Sequence, residues 1–497
     1  MKSGNQRDDE EGDLGAEMKL KTPFFAAFGS LLFGRRAHRK VPVNLEDFAQ
    51  MQRVFSGCLP AGALAAARAG VGSRRRIFST ENTFWAFLFQ VLSPLCGCRE
   101  IVRNVQAWWG AKGKSKLLGA GTGGYCQARA RLPLPLLASL FEKLATTLLG
   151  RVLTHERWLG ERSVKIIDGT CFSMPDTPQN QKRWPQSGEQ APGCGFPLLK
   201  LCGLFCLHSG AMLRYSLGNK HDHEQKLSRS LLQGVEKDDI LLADRGFCSY
   251  ALIAALRARG ADALMRLHQR RKADFRHGKK LGPDDRLITW TRDPKPGKGP
   301  WADQHASQPE TLTVRIVRYQ IEEPGFRTRK VTLVTTLLDP EEYPLEVLAE
   351  LYRARWNIEL RLREIKASMG ADTLRCKTPA MIEKELCMNA IGYNLIRLVM
   401  QKAAHEHDVD LGALSFKGSL DTVRHHAPAI QAALPRERAR LYEQLLYLIS
   451  KDQLPWRPDR VEPRAKKRRA KNYHLLTKPR HKMRVPSHRN RPRFQKP

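Results

Sequence analysis

Nowhere in the 497 residues does an apolar run approach the roughly 18–20 residues that a membrane-spanning helix requires, so no membrane span is expected. The early stretch DDEEGDLGAE lacks the basic start and apolar centre of a secretory signal. Cysteine is scattered and odd in number, eleven in all, which argues against a disulfide framework. Cys96-x-Cys98 and Cys202-x-x-x-Cys206 each lack the second pair that a zinc site needs, so most thiols are expected to be small buried apolar groups. Gly119, Gly121 and Gly124 have the GxGxxG spacing, but no strand pattern precedes them. Gly113-Lys114-Ser115 looks like the end of a phosphate-binding loop, but Trp108 stands where its first glycine belongs. Acidic charge is also scarce: 50 Asp and Glu face 84 Lys and Arg. A surplus of 34 positive charges repels itself unless a polyanion compensates, which makes nucleic acid the leading partner of a soluble, intracellular chain.

Residues 1–75 are charged and then Ala/Gly-rich, and read as a mobile arm. Helical signals fill 76–158, with Ser79 or Thr80 as a cap and Pro133 and Pro135 as interruptions, giving a basic, helical DNA-binding domain. From about 159 the pattern changes to short β-branched runs: SVKIIDG, LLKLCGLFCLHSG, AMLRYSLG, DILLADRG and DALMRL read as strands, with helices over 223–235 and 249–259. This is an α/β layout. Between about 270 and 335, RLITWTRD, TLTVRIVRYQI and KVTLVTTLL follow without a helical pattern and read as a β-rich insertion. Helices return from 344, and 377–456 form a helical C-terminal region. Residues 457–497 hold sixteen Lys or Arg against two acidic residues and read as a disordered basic tail.

Two strand-like runs end in a carboxylate. VKIIDGT sets Asp168 at a strand end and DILLADRGF does the same with Asp244; ligand groups gather at strand ends in α/β sheets. Either Asp alone could simply open a turn. A third carboxylate, Glu359, lies in LYRARWNIELRLREIKASMG. At about 100° per residue, a helix sets Tyr352, Arg355, Glu359 and Lys366 within roughly 60° of one another. Leu351, Ile358, Leu362, Ile365 and Met369 form an apolar stripe beside them, and Arg353, Arg361, Glu364 and Ser368 face solvent. Spacing alone also fits a solvated face laced with i,i+4 pairs. Three convergent carboxylates, however, can hold two Mg²⁺ ions for phosphodiester chemistry. The metal-friendly HDHE at 221–224 reads as a polar helix start, and Asp176, Asp238 and Asp239 are weaker candidates.

DGTCFSMPDT, LLADRGFCSY and YRARWNIELRLREIK resemble the signature blocks of bacterial insertion-sequence transposases of the DDE class, in the type-four family with its Y-x2-R-x3-E-x6-K motif. Tyr352, Arg355, Glu359 and Lys366 match all four positions. GYCQARARLP, LVTTLLD and EPRAKKRRAK extend the resemblance over about 80–480. It implies a ribonuclease H-like catalytic domain over 159–376, with a β insertion between Asp244 and Glu359. It implies Asp168, Asp244 and Glu359 as catalytic ligands of two Mg²⁺ ions, or Mn²⁺ in their place, and Arg245, Tyr352, Arg355 and Lys366 as phosphate contacts. Double-stranded DNA, a homodimer on DNA and a cytoplasmic, nucleoid-associated location follow from it. So does an aromatic in the insertion that holds a base during hairpin formation. Trp290, on an apparent strand, is expected in the core, and Trp301, in KGPWADQ beside Pro and Gly, is expected to be exposed. A nuclease that only hydrolyses, or an inactive DNA-binding copy, would share the carboxylates or the charge.

Overall fold

The computed structural model describes residues 77–94, 96–111, 119–159, 162–297, 299–321, 329–455 and 475–483. The acidic arm and most of the basic tail lie outside the described residues. Four helices come first: α1 (Thr80–Leu92), α2 (Cys98–Ala111), α3 (Gly123–Arg131) and α4 (Leu134–Gly150). Ser79 starts α1, its hydroxyl accepting from the Asn82 N–H at 3.1 Å. Pro133 and Pro135 separate α3 from α4 by standing at the start of α4, where a missing N–H costs nothing.

Nine strands among the described residues form one mixed sheet. They are β1 (Val164–Ser173), β2 (Leu198–Cys206), β3 (Met212–Gly218), β4 (Ile240–Ala243), β5 (Asp262–Arg266), β6 (Lys279–Gly282), β7 (Asp285–Thr291), β8 (Thr311–Ile321) and β9 (Arg329–Thr335). Their order is β3-β2-β1-β4-β5-β9-β8-β7-β6. Only β1–β4 and β4–β5 are parallel, each connection carrying a helix: α6 (Glu224–Leu231) before β4 and α7 (Tyr250–Arg257) before β5, while the short α5 (Pro178–Arg183) follows β1. The sequence sets 270–335 apart as an insertion, whereas the structure joins it to the sheet. β9 pairs with β5 from Leu264↔Thr335 to Arg266↔Leu333, covering an edge that would otherwise stand open.

The C-terminal helices are α8 (Leu345–Arg353), α9 (Asn357–Arg363), α10 (Pro379–Glu406), α11 (Phe416–Ala432) and α12 (Pro435–Lys451). α10 is buried along most of its length and packs on α1, α4 and α12. Its Asn394 accepts from the Met212 N–H at 3.0 Å and donates to the Met212 carbonyl at 2.9 Å, and Arg397 donates twice to the Ser209 carbonyl. Helix and sheet therefore share one apolar core that runs from Phe84 to Ile449.

One expectation about local structure is corrected. Residues 351–370 are not a single regular helix: α8 stops at Arg353, Ala354–Trp356 is a tighter 3₁₀ turn, α9 follows, and Glu364–Ser368 winds as a wider π turn. Arg361 and Glu364, expected on the solvent side, are only 11% and 15% exposed. Glu364 accepts from Arg361 at 2.8 Å and from the Tyr393 hydroxyl of α10 at 3.3 Å, so tertiary contacts claim the face that spacing assigned to water.

Candidate active site

The site begins where the parallel pairing of β1 with β4 ends, at Ile166↔Leu242. Asp168 follows two residues later on β1, and Asp244 comes directly after β4. Asp168 is not at a strand end as expected, because β1 runs on to Ser173, paired with β2 along its length and bridged to Thr373 at its end. Losing its parallel neighbour opens the space into which both carboxylates reach. Each is steadied by the backbone that follows it: the Gly169 N–H donates to Asp168 Oδ1 at 2.7 Å, and the Gly246 N–H donates to Asp244 Oδ1 at 2.8 Å.

A carboxylate that the sequence reading passed over stands beside them. His223 does cap α6, accepting from the Gln225 N–H at 3.3 Å, which fits the polar start read from HDHE. The next residue, Glu224, turns toward the two aspartates. A Cβ on Gly169 would lie 2.8 Å from Glu224 Oε1, and one on Gly246 would lie 3.1 Å from Asp244 Oδ1 and 3.6 Å from Glu224 Oε2. Gln225 fastens the helix start to this loop through the Gly246 carbonyl at 3.0 Å. The available signal was the pair of glycines after Asp168 and Arg245. Both read as turn residues, yet both give close approach to a side chain.

Burial, with Asp244 and Glu224 adding to it, pushes the Asp168 carboxyl up to about 6 against the opposing pull of the Gly169 N–H and Arg355. The buried Cys202 thiol is raised by burial first and then by the nearby charges of Glu224, Asp168 and Asp244. Arg355 supplies positive charge. It is buried, and its guanidinium stands between Asp168 Oδ2 at 3.7 Å and Glu359 Oε1 at 3.8 Å, separations of ion pairs rather than hydrogen bonds. Its Nε has no hydrogen-bond partner among the described residues. Tyr352 lies 5.8 Å from that guanidinium, its phenol pushed up to about 12 mainly by burial. Glu359 is half exposed, and Arg245 points into solvent. Trp356, which the sequence reading did not single out, is 55% exposed beside Arg355.

Lys366 is carried farther off by the π turn. It pairs with Asp372 at 3.1 Å and sits 5.7 Å from the Phe172 ring, along β1 from Asp168. Among the described residues, no three His, Cys, Asp or Glu side chains close on a single metal position.

A cleft of about 740 Å³ leads from Gly246 into the β-rich segment, lined by His223, Arg271, Arg292, Lys295 and Trp301 among others. Trp301 is not exposed as expected: it is buried with the apolar core, and Arg229, fixed to the Pro300 carbonyl and Asp303, lies 5.3 Å from its ring. Its Nε1 has no hydrogen-bond partner among the described residues. Trp290 is buried on β7, with Arg271 4.2 Å from its ring centre.

Residues 159–395 match the family described as transposase DDE domain. The chain is 29% identical over 356 residues to the transposase InsG for insertion sequence element IS4 of Escherichia coli (strain K12), an alignment covering 70% of this chain and 76% of that one. A 69-residue stretch is 35% identical to the putative transposase InsL for insertion sequence element IS186A of the same strain, covering 14% of this chain and 19% of the relative. Among solved structures, a piggyBac transposase synaptic complex with hairpin DNA aligns over 86% of this chain and 89% of that one. Its TM-score is 0.40 and its identity 9%, too distant to carry an argument.

Proposed function

We propose, for a chain that belongs to the DDE transposases of the IS4 insertion-sequence family, that it cuts its element at both ends by hydrolysis and joins each freed 3′-hydroxyl to target DNA at the site formed by Asp168, Asp244 and Glu359. The observation that carries this reading is the convergence of Asp168 and Asp244 where the parallel pairing ends, with Arg355 linking Asp168 to Glu359. The donor set suits a hard divalent cation, since every candidate ligand is a carboxylate oxygen. The crowding that raises Asp168 is what a cation would relieve. Asp168, Asp244 and Glu359 would hold two Mg²⁺ ions, or Mn²⁺, which supply activation of the attacking oxygen and stabilisation of the leaving oxygen.

The protein's own groups do the positioning. Arg355, buried and with Nε unpartnered, has donors left for a phosphate oxygen once Glu359 turns toward a metal. Arg245 and Tyr352 flank the same strand of DNA, and Lys366 meets the backbone farther along, where Phe172 and Asp372 hold it. The cleft beyond Gly246 has cationic walls and Trp301 on its side, and would take a base displaced while an end closes into a hairpin. Within this reading the catalytic unit is a ribonuclease H-like sheet, the helices of 76–158 contact DNA, and two copies act together on double-stranded DNA at the bacterial nucleoid.

The test is incubation of the protein and Mg²⁺ with a labelled fragment bearing the ends of its own element. Nicked ends, hairpins and joined products are expected. Asp168→Ala, Asp244→Ala and Glu359→Ala each abolish the first nick while DNA binding persists, because metal ligands act on the chemical step and affinity comes mainly from phosphate contacts. Hydrolysis without joining would reduce the protein to a nuclease.

A further inference from the structure

Glu224 carries a charge for which the described protein supplies no partner. Its carboxylate makes neither a hydrogen bond nor an ion pair among the described residues, although it is half-buried and lies against Asp168 and Asp244. Nearby cations are engaged elsewhere: Lys226 with Asp222 at 2.8 Å, Lys200 with the Asp222 carbonyl at 2.8 Å, and Arg355 with Asp168 and Glu359. Two glycines keep the space around it clear. Any side chain at 169 would strike Glu224 Oε1, and one at 246 would intrude between Glu224 and Asp244. The helix start is also pinned, by Gln225 on the Gly246 carbonyl and by the His223 cap, so Glu224 is delivered by a fixed element. A fixed, unpaired carboxylate kept beside two others is costly unless a cation joins them.

We propose that Glu224 is a fourth carboxylate of the site, a direct oxygen ligand to a divalent cation onto which Glu224, Asp168 and Asp244, not closed on one metal position in the metal-free chain, turn together. This rests on the reading of Asp168 and Asp244 as metal ligands. Glu224 comes from the helix between β3 and β4, whereas Glu359 comes from α9 beyond the β-rich segment. The cation would thus be held by the sheet and α6 before Glu359, now tied to Arg355, completes the set.

The experiment is a calorimetric titration of Mn²⁺ into the full chain without DNA, together with melting curves with and without Mn²⁺, for the wild type, Glu224→Gln, Gly169→Ala and Asp168→Asn. Glu224→Gln should weaken Mn²⁺ binding by about tenfold or more. Its metal-free melting temperature should stay equal or rise, since a like charge is removed, while the rise produced by Mn²⁺ should shrink. Gly169→Ala keeps the carboxylate but pushes it aside, and should weaken Mn²⁺ binding in the same direction. If Asp168→Asn loses Mn²⁺ binding while Glu224→Gln and Gly169→Ala bind as the wild type does, Glu224 is not a ligand and the rest of the site stands. Unchanged binding in Asp168→Asn would remove the underlying metal site and this assignment with it. If Glu224→Gln melts lower without metal, Gly169→Ala decides: normal Mn²⁺ binding there overturns the proposal.

Discussion

Asp168 shows how much one residue's surroundings set its chemistry. Its carboxyl sits at about 6 because burial and two neighbouring carboxylates outweigh the Gly169 N–H and Arg355. The folded chain therefore holds this proton more tightly than the unfolded chain does. Between the ordinary value of 3.8 and about 6, the folded state binds more protons, so the metal-free protein loses this stability as pH rises through that window. A divalent cation competes with the same proton. Mn²⁺ binding should accordingly weaken as pH falls below about 6 and level off above it, as titrations at several pH values would show. In Asp168→Asn the metal-free melting temperature should lose this part of its pH dependence. An unaltered pH profile would mean that another group sets it.

Single elements hold the site in place through a few polar contacts. Asn394 of α10 closes both backbone groups of Met212 at the start of β3, and with Arg397 on Ser209 it fixes the long helix to the sheet. Asn394→Ala strands a buried N–H and a buried carbonyl, at about 1–3 kcal/mol each, and should lower the melting temperature by several degrees. A melting temperature equal to the wild type's would show that other groups take up Met212. In the β-rich segment, Trp301 rather than Trp290 lines the cleft. Trp301→Ala should leave the first nick intact and slow hairpin formation about tenfold, in line with about 1–3 kcal/mol of base stacking, whereas Trp301→Phe should retain most of the rate. Equal hairpin rates in all three proteins would assign the cleft another purpose.

Over the whole molecule the dominant quantity is charge. Residues 457–497 hold sixteen of the Lys and Arg against two acidic residues and lie largely outside the described residues. Their composition is that of a polycation, whose binding to DNA depends on counterion release rather than on base edges. Deleting them should lower affinity for every DNA sequence alike and flatten the salt dependence, measured by binding titrations over a range of salt. A selective loss of affinity for the element's ends would show instead that the tail reads bases.

The strands and the helices between them were legible in the sequence, because period and capping are local properties of the chain, and motif spacing singled out Asp168, Arg355 and Glu359, which the structure brings near one another. Ser79, SVKIIDG and TLTVRIVRYQI were read where the structure has a cap and strands. What distance along the chain conceals was decided by tertiary structure. The β-rich segment became part of the main sheet because β9 found the edge of β5. The regular helix over 351–370 is broken by 3₁₀ and π turns, with Glu364 held by Arg361 and by Tyr393 of the distant α10, and Lys366 lies along β1 beside Phe172, paired with Asp372. Trp301 was buried with the apolar core, with Arg229, a residue 72 positions before it, 5.3 Å from its ring, and Glu224, in a stretch that reads as a helix start, was carried toward Asp168 by the packing of α6. In each case a local pattern stated what a residue could do, and a contact between distant segments determined where it would do it.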